Sequence, residues 1–109
     1  MQAAYQMAYG SPDVLTLRSM PDPVSGPNDV LIRVLASAVT AADTMMRKGT
    51  PWFARLFLGV VKPRHVVPGT GFSGIVESVG QNVSRFAPGD AVMGESVFGG
   101  GANCEFVCI

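Results

Sequence analysis

The stretch Val66–Val92, VVPGTGFSGIVESVGQNVSRFAPGDAV, decides the fold. Its first part places Gly69, Gly71 and Gly74 in the GxGxxG spacing with which dinucleotide-binding proteins hold a pyrophosphate. That function needs a helix directly after the glycines, whereas the residues that follow are mostly β-branched and end at Gly80, a pattern typical of a strand. The sequence therefore predicts a glycine-rich turn that leads into a strand, and we expect no phosphate site here.

Length and composition limit the kinds of protein this chain can be. At 109 residues it is sized for one domain, which can bury roughly two-thirds of its unfolded surface. Eight basic residues balance eight acidic ones, so no long-range field favours nucleic acid or an anionic membrane. The N-terminus has no signal-peptide pattern and no apolar run approaches the roughly 20 residues of a membrane span, so we expect a cytoplasmic protein.

Apolar residues and cysteines give two further expectations. Hydrophobic residues make up 48% of the chain and charged residues 15%, which predicts an apolar surface, part of which contacts another molecule. The two cysteines, Cys104 and Cys108, lie four positions apart in a segment that reads as a strand. Their Cα atoms would then be roughly 13 Å apart, beyond disulfide reach, so we expect free thiols.

Short strands separated by turns rich in glycine and proline predict a β-barrel or sandwich. The third predicted strand is the longest and is apolar on both faces, which indicates a central position in its sheet. The predicted strands are Ala3–Tyr5, Val14–Arg18, Asp29–Val39, Gly74–Gly80, Asp90–Met93 and Ala102–Ile109.

Two short helices are predicted between the third and fourth strands. The first begins at Thr40, whose side chain can cap it with Asp43 three residues on, and ends at Gly49. The second spans Trp52–Leu58, after the cap and first-turn proline of Thr50-Pro51. Its apolar side suits packing over a barrel mouth, and the competing interpretation is an interfacial membrane anchor.

Four stretches taken together resemble a known family: residues 1–17, 26–49, 68–94 and 99–109. In this order they are similar to the N-terminal GroES-like domain of the medium-chain dehydrogenase/reductase superfamily, most closely its zinc-free quinone-oxidoreductase-like branch. The resemblance implies a mainly β protein over residues 1–109, a GroES-like partly open β-barrel with two short helices. This barrel would form one wall of an active-site cleft.

The same resemblance implies a second wall that this chain does not contain. In the family, a Rossmann domain follows and binds NADPH or NADH. The 109 residues lack a phosphate cradle, so we expect this piece alone to bind the cofactor weakly or not at all and to be inactive. The implied reaction is zinc-independent hydride transfer to a quinone or activated alkene, with carbonyl, enone or quinone compounds as substrates.

Zinc is disfavoured position by position. The resemblance places the ligand positions of zinc alcohol dehydrogenases at Thr40, Thr70 and Gly71, and none of these is a Zn²⁺ ligand. The single histidine, His65, lies in a loop, where histidines are usually solvated. We therefore predict no metal.

The resemblance also assigns candidate site residues. Quinone-oxidoreductase-like members carry an asparagine and a tyrosine near the nicotinamide, at positions where this chain has Thr40 and Met45. Thr40 can still donate a hydrogen bond, whereas Met45 can only pack. We predict Thr40 and Asp43 as catalytic, although a helix cap explains both without catalysis. The predicted substrate pocket consists of Met45, Trp52, Phe53 and Thr70.

Partners follow from the same argument. In the family, chain that follows the Rossmann domain returns to complete the barrel, and without those strands this piece would have unpaired sheet edges, which favours a homodimer formed by strand addition or exchange. Besides the Rossmann domain and a small-molecule substrate, we expect no nucleic-acid partner. The alternative function is a non-catalytic GroES-like binding or assembly module, such as the ring-forming co-chaperonin that gives the fold its name.

Overall fold

The computed structural model describes residues 1–49, 67–96 and 101–109. Their regular structure is mainly β, as predicted, with one α-helix and one short 3-10 turn. The second predicted helix, Trp52–Leu58, lies outside the described residues. In chain order the elements are β1 Gln2–Gln6, the 3-10 turn Pro12–Val14, β2 Leu15–Ser19, β3 Val30–Ser37, α1 Ala41–Lys48, β4 Gly71–Val79, β5 Ala91–Glu95 and β6 Phe106–Cys108.

The strands form two antiparallel sheets. β1 and β2 make a two-stranded hairpin, and the larger sheet has the order β5-β4-β3-β6. β3 pairs with a strand on each side, which confirms its predicted central position. Within the described ranges both sheets are open, so the strands do not close into a barrel.

The glycines of the GxGxxG stretch serve the backbone of β4 and the turn before it, as predicted. Gly69 adopts a φ of +100° in the turn before the strand, a conformation that favours glycine. Gly74 lies inside β4, where a Cβ atom would press against the backbone carbonyl of Arg33 in β3. The residues after Gly74 continue the strand to Val79, so no helix starts here.

The last predicted strand, Ala102–Ile109, is wrong at its N-terminal end, because β6 spans only Phe106–Cys108. The preceding residues bond to other partners. The N–H groups of Ala102 and Asn103 donate to the carbonyl groups of Gly69 (3.1 Å) and Pro68 (3.0 Å). Cys104 forms an isolated bridge with Ala3 of β1. This segment therefore joins the turn before β4 to the hairpin.

The buried core is small and lies on one face of the larger sheet. Among the described residues its main cluster contains Ile32, Phe72, Ala102 and Val107, with Val30, Val34, Val92 and Cys104 packed against it, and Ala3 and Val76 are also buried. Several large apolar side chains are instead exposed, among them Leu17, Val39 and Met93. The apolar surface expected from the composition is therefore present. No helix in the described ranges is long and apolar enough to cross a membrane.

Candidate functional site

The start of α1 is a complete capping box. Thr40 is the N-cap residue, and the backbone N–H of Asp43 donates to its hydroxyl oxygen over 3.4 Å. In return, the Thr40 backbone N–H donates to Oδ2 of Asp43 over 2.8 Å. At the other end, Gly49 has a φ of +70° and donates its N–H to the Met45 carbonyl over 2.8 Å. The predicted cap and stop of this helix are confirmed.

The Thr40 hydroxyl is only weakly engaged by this cap. It donates to Oδ2 of Asp43 over 3.3 Å and accepts from the Asp43 N–H over 3.4 Å. Both distances exceed the usual 2.7–3.0 Å of good hydrogen bonds, whereas the N–H to Oδ2 bond is short. Thr40 is also exposed. Its hydroxyl can therefore turn toward a bound molecule while the stronger half of the cap remains.

Asp43 is the only buried residue of α1, with 8% of its surface exposed. Its Oδ2 receives the two hydrogen bonds from Thr40, but its Oδ1 is buried and has no hydrogen-bond partner among the described residues. A buried carboxylate oxygen without a hydrogen bond is costly, by about 1–3 kcal/mol or more for a charged group. The turn therefore holds an acceptor that a bound hydroxyl or N–H group would stabilise.

Thr40 and Thr70 lie at the same end of the larger sheet. The N–H of Ala38, two residues before Thr40, donates to the carbonyl of Gly71, the residue after Thr70, over 3.0 Å. Thr70 is buried, with 7% of its surface exposed, and its carbonyl accepts from the Ser96 N–H over 2.8 Å. The ends of β3, β4 and β5 thus meet beside the start of α1.

A cavity of about 470 Å³ opens at this end of the sheet. Its wall combines small residues with a few larger ones, and Glu95 is the only acidic residue that lines it. Neither threonine lines the cavity itself: Thr70 directly precedes the lining residue Gly71, and Thr40 lies two residues after the lining residue Ala38. The cavity is lined by Ala36, Ser37, Ala38, Gly71, Phe72, Ser73, Met93, Gly94 and Glu95.

The structure therefore gathers part of the predicted site. Thr40, Asp43 and Met45 share one helix, with Met45 46% exposed, and Thr70 lies at the adjoining sheet end. Trp52 and Phe53 lie outside the described residues, as does His65. The sequence reasoning did not select Glu95, Met93 or Ser96, because these residues reach the site only through the pairing of β5 with β4.

Metal-ligating residues do not cluster in the described part of the chain. No three histidine, cysteine, aspartate or glutamate side chains there are arranged to hold a metal ion. Both cysteines are free thiols, as predicted. Burial raises the pKa of the Cys104 thiol, and the nearby Glu105 carboxylate adds to the effect. Burial, together with the charge of Asp29, likewise raises the pKa of Cys108.

The fold and the position of this site define the class of protein. The chain belongs to the family of alcohol dehydrogenase GroES-like domains, whose pattern matches residues 26–108. This confirms the resemblance to the N-terminal domain of the medium-chain dehydrogenase/reductase superfamily.

Similar proteins include quinone oxidoreductases. The chain is 38% identical to quinone oxidoreductase from Lama guanicoe over 103 residues, which cover 93% of this chain and 29% of that protein. The solved quinone oxidoreductase from Coxiella burnetii matches with a TM-score of 0.83 at 34% identity, over 99% of this chain and 34% of that one. L-threonine 3-dehydrogenase from Solibacter usitatus is 42% identical over 92 residues, 83% of this chain and 26% of that protein. The chain thus spans about a third or less of each.

Proposed function

We propose that this chain forms the acceptor-side wall of an NAD(P)H-dependent oxidoreductase that reduces a quinone or an activated alkene without zinc. The observation that carries the proposal is the Thr40–Asp43 turn, an exposed hydroxyl held by a buried carboxylate beside a cavity. The similarity to quinone oxidoreductases supports the reaction class. Because L-threonine 3-dehydrogenase, another similar protein, is named for a different substrate, the experiment below compares two classes of acceptor.

The proposed reaction requires a hydrogen-bond donor on this wall. When bound by its own domain, a reduced nicotinamide would supply a hydride, so this wall would face negative charge that develops on the acceptor oxygen. A hydrogen-bond donor aimed at that oxygen stabilises the charge where it appears. Thr40 is suited to this role, since its hydroxyl is exposed and its two capping contacts, at 3.3 Å and 3.4 Å, are weak. Releasing them leaves the 2.8 Å bond from its N–H to Asp43.

Asp43 would act through Thr40. Its Oδ2 fixes the Thr40 backbone and gives the hydroxyl hydrogen a resting position when no acceptor is bound. Its Oδ1, for which the described residues supply no donor, offers a further acceptor for a donor group on a bound molecule. Met45, half exposed on the same helix, packs against an apolar ligand but supplies no proton. The final proton would then come from solvent.

The chain fits only one end of a nicotinamide cofactor. The glycines that could have held a pyrophosphate lie in a turn and a strand, and Gly74 lies against the backbone of β3. Thr40 and Met45 would face the nicotinamide side of the cleft. The diphosphate and ribose groups would need a separate cofactor domain, so the 109-residue chain alone would not turn over. Such a Rossmann domain is its proposed partner, and formation of a homodimer stays a prediction.

A chimeric enzyme tests this proposal. In the Lama guanicoe quinone oxidoreductase, the segment that matches this chain would be replaced by residues 1–109. NADPH consumption is then followed with a naphthoquinone and with an enone, after circular dichroism and cofactor titration show that the chimera is folded and binds NADPH. We expect turnover by the chimera and none by the isolated chain.

Two other outcomes would count against the proposal. A folded chimera that binds NADPH but reduces neither acceptor would favour the non-catalytic GroES-like module. Turnover that is lost to a zinc chelator and restored by zinc would contradict the zinc-independent mechanism. Because potential metal ligands do not cluster in the described part of the chain, we predict that chelation leaves the rate unchanged.

A further inference from the structure

A buried polar junction connects the first strand to the end of α1. Gln6 is the last residue of β1 and only 3% exposed. Its Nε2 donates to the carbonyl groups of Ala8 and Arg47, both over 2.9 Å. Arg47 and Gly10 add two reciprocal bonds of 3.1 Å, from the Arg47 Nε to the Gly10 carbonyl and from the Gly10 N–H to the Arg47 carbonyl. Four hydrogen bonds therefore meet at this point.

Helix α1 is short and has little buried surface in the described part of the chain. It has eight residues, below the roughly 12–15 at which isolated helices become even marginally stable in water. Helices of this length depend on packing against the rest of the protein, yet Asp43 is the only residue of α1 that is buried. The polar junction therefore replaces much of the apolar packing that usually holds a surface helix.

The two ends of α1 make different contacts. The junction holds the last turn, at Arg47, whereas the first turn carries Thr40 and Asp43. Eight residues at about 1.5 Å each make a rod of about 12 Å. A tilt of about 10° about the anchored end would move the first turn by about 2 Å, enough to break the hydrogen bonds of a site.

We propose that Gln6 is a positioning residue that sets the Thr40–Asp43 turn from a distance, through the helix. The amide is suited to this role because it donates both of its hydrogens to carbonyl oxygens of separate segments. The catalytic role of that turn rests on the proposed function. The mechanical link from Gln6 to Thr40 does not, and it is tested without substrate or cofactor.

The experiment compares Gln6→Met with Gln2→Met in the 109-residue chain. Methionine keeps the length of the side chain and removes its donors. Gln2 lies on the same strand but is exposed, which makes it a matched control. Hydrogen exchange followed by NMR reports helix opening at the Thr44 and Gly49 amides, which donate to Thr40 and Met45. The Thr40 amide proton resonance reports its bond to the Asp43 carboxylate.

For Gln6→Met we expect exchange at Thr44 and Gly49 to rise about tenfold or more and the Thr40 resonance to move upfield, with neither change in Gln2→Met. The sheet amides of Val34 and Val76 should keep their rates. A smaller change of the same kind is expected for Arg47→Lys, which removes only the Nε donor.

Two results would overturn the inference. An unchanged Thr40 resonance in Gln6→Met would show that the junction does not reach the turn. Equal acceleration at Val34 and Val76 would show that Gln6 supports the whole domain and not this helix. Should Gln6→Met fail to fold, Arg47→Lys decides by the same two criteria. None of these results depends on whether the chimeric enzyme reduces an acceptor, so the two proposals can fail separately.

Discussion

Replacing Gly74 by alanine should destabilise the domain by about 3 kcal/mol, at the upper end of the range for overpacked sites. The new Cβ would press on the Arg33 carbonyl oxygen and lie 2.9 Å from the Cγ2 of Ile32. Both obstacles belong to β3, which is paired on each side and cannot move away without breaking the sheet. A loss of this size corresponds to a fall in Tm of about 15 °C for a domain of this length.

The assay is urea unfolding followed by circular dichroism, with Gly71→Ala as the matched control. At Gly71 a Cβ would lie 3.4 Å from the Cβ of Ala38, an ordinary contact. We expect that variant to be unchanged or more stable by a few tenths of a kcal/mol, because alanine restricts the unfolded chain. If Gly74→Ala proved no more harmful than Gly71→Ala, the close contact between β3 and β4 would be refuted as the reason for this glycine.

Further predictions concern the cap and the thiols. Thr40→Ala should lower the free energy of unfolding by about 1 kcal/mol, as measured by thermal denaturation. Thr40→Ser keeps a hydroxyl that can cap the helix, so it should keep most of that stability. Because the pKa of Cys104 and Cys108 is raised above 9.0, alkylation should be slow at neutral pH and accelerate only above that value. The thiols also favour the folded state below pH 9.0, and this contribution should fall as pH rises through their folded-state pKa. Asp29→Asn should speed alkylation of Cys108 but not of Cys104, which mass spectrometry of the labelled peptides can distinguish.

Local patterns in the sequence were sufficient for the helix and for most strands. Thr40, Asp43 and Gly49 lie within one short segment, and both caps form as predicted because their bonds depend on neighbouring residues alone. The apolar residues on both faces of the third strand placed it correctly inside the sheet. Gly69 and Gly74 were also interpreted correctly, since the residues after them have strand character and not helix character.

Features that depend on distant pairings could not be predicted. The segment before β6 bonds to the turn at Pro68 and Gly69, so its extended sequence does not continue the strand. Gln6 and Arg47 are 41 positions apart, and no periodic pattern connects them. The cavity has the same origin, because Glu95 reaches it only when β5 pairs with the start of β4. In each case the decisive contact joins residues that no short sequence window contains.

The most direct test of the central claim is the rate of enone reduction by the chimeric enzyme when Thr40 is changed. Thr40→Gly removes the donor but costs the helix cap only a few tenths of a kcal/mol, so the fold is preserved. Thr44→Ala in the same helix is the control. Our account predicts that kcat falls about 100-fold for Thr40→Gly, stays near its original value for Thr44→Ala, and is largely retained in Thr40→Asn, which keeps a donor. An unchanged kcat in Thr40→Gly would contradict it, since Thr40 would then be a helix cap and nothing more.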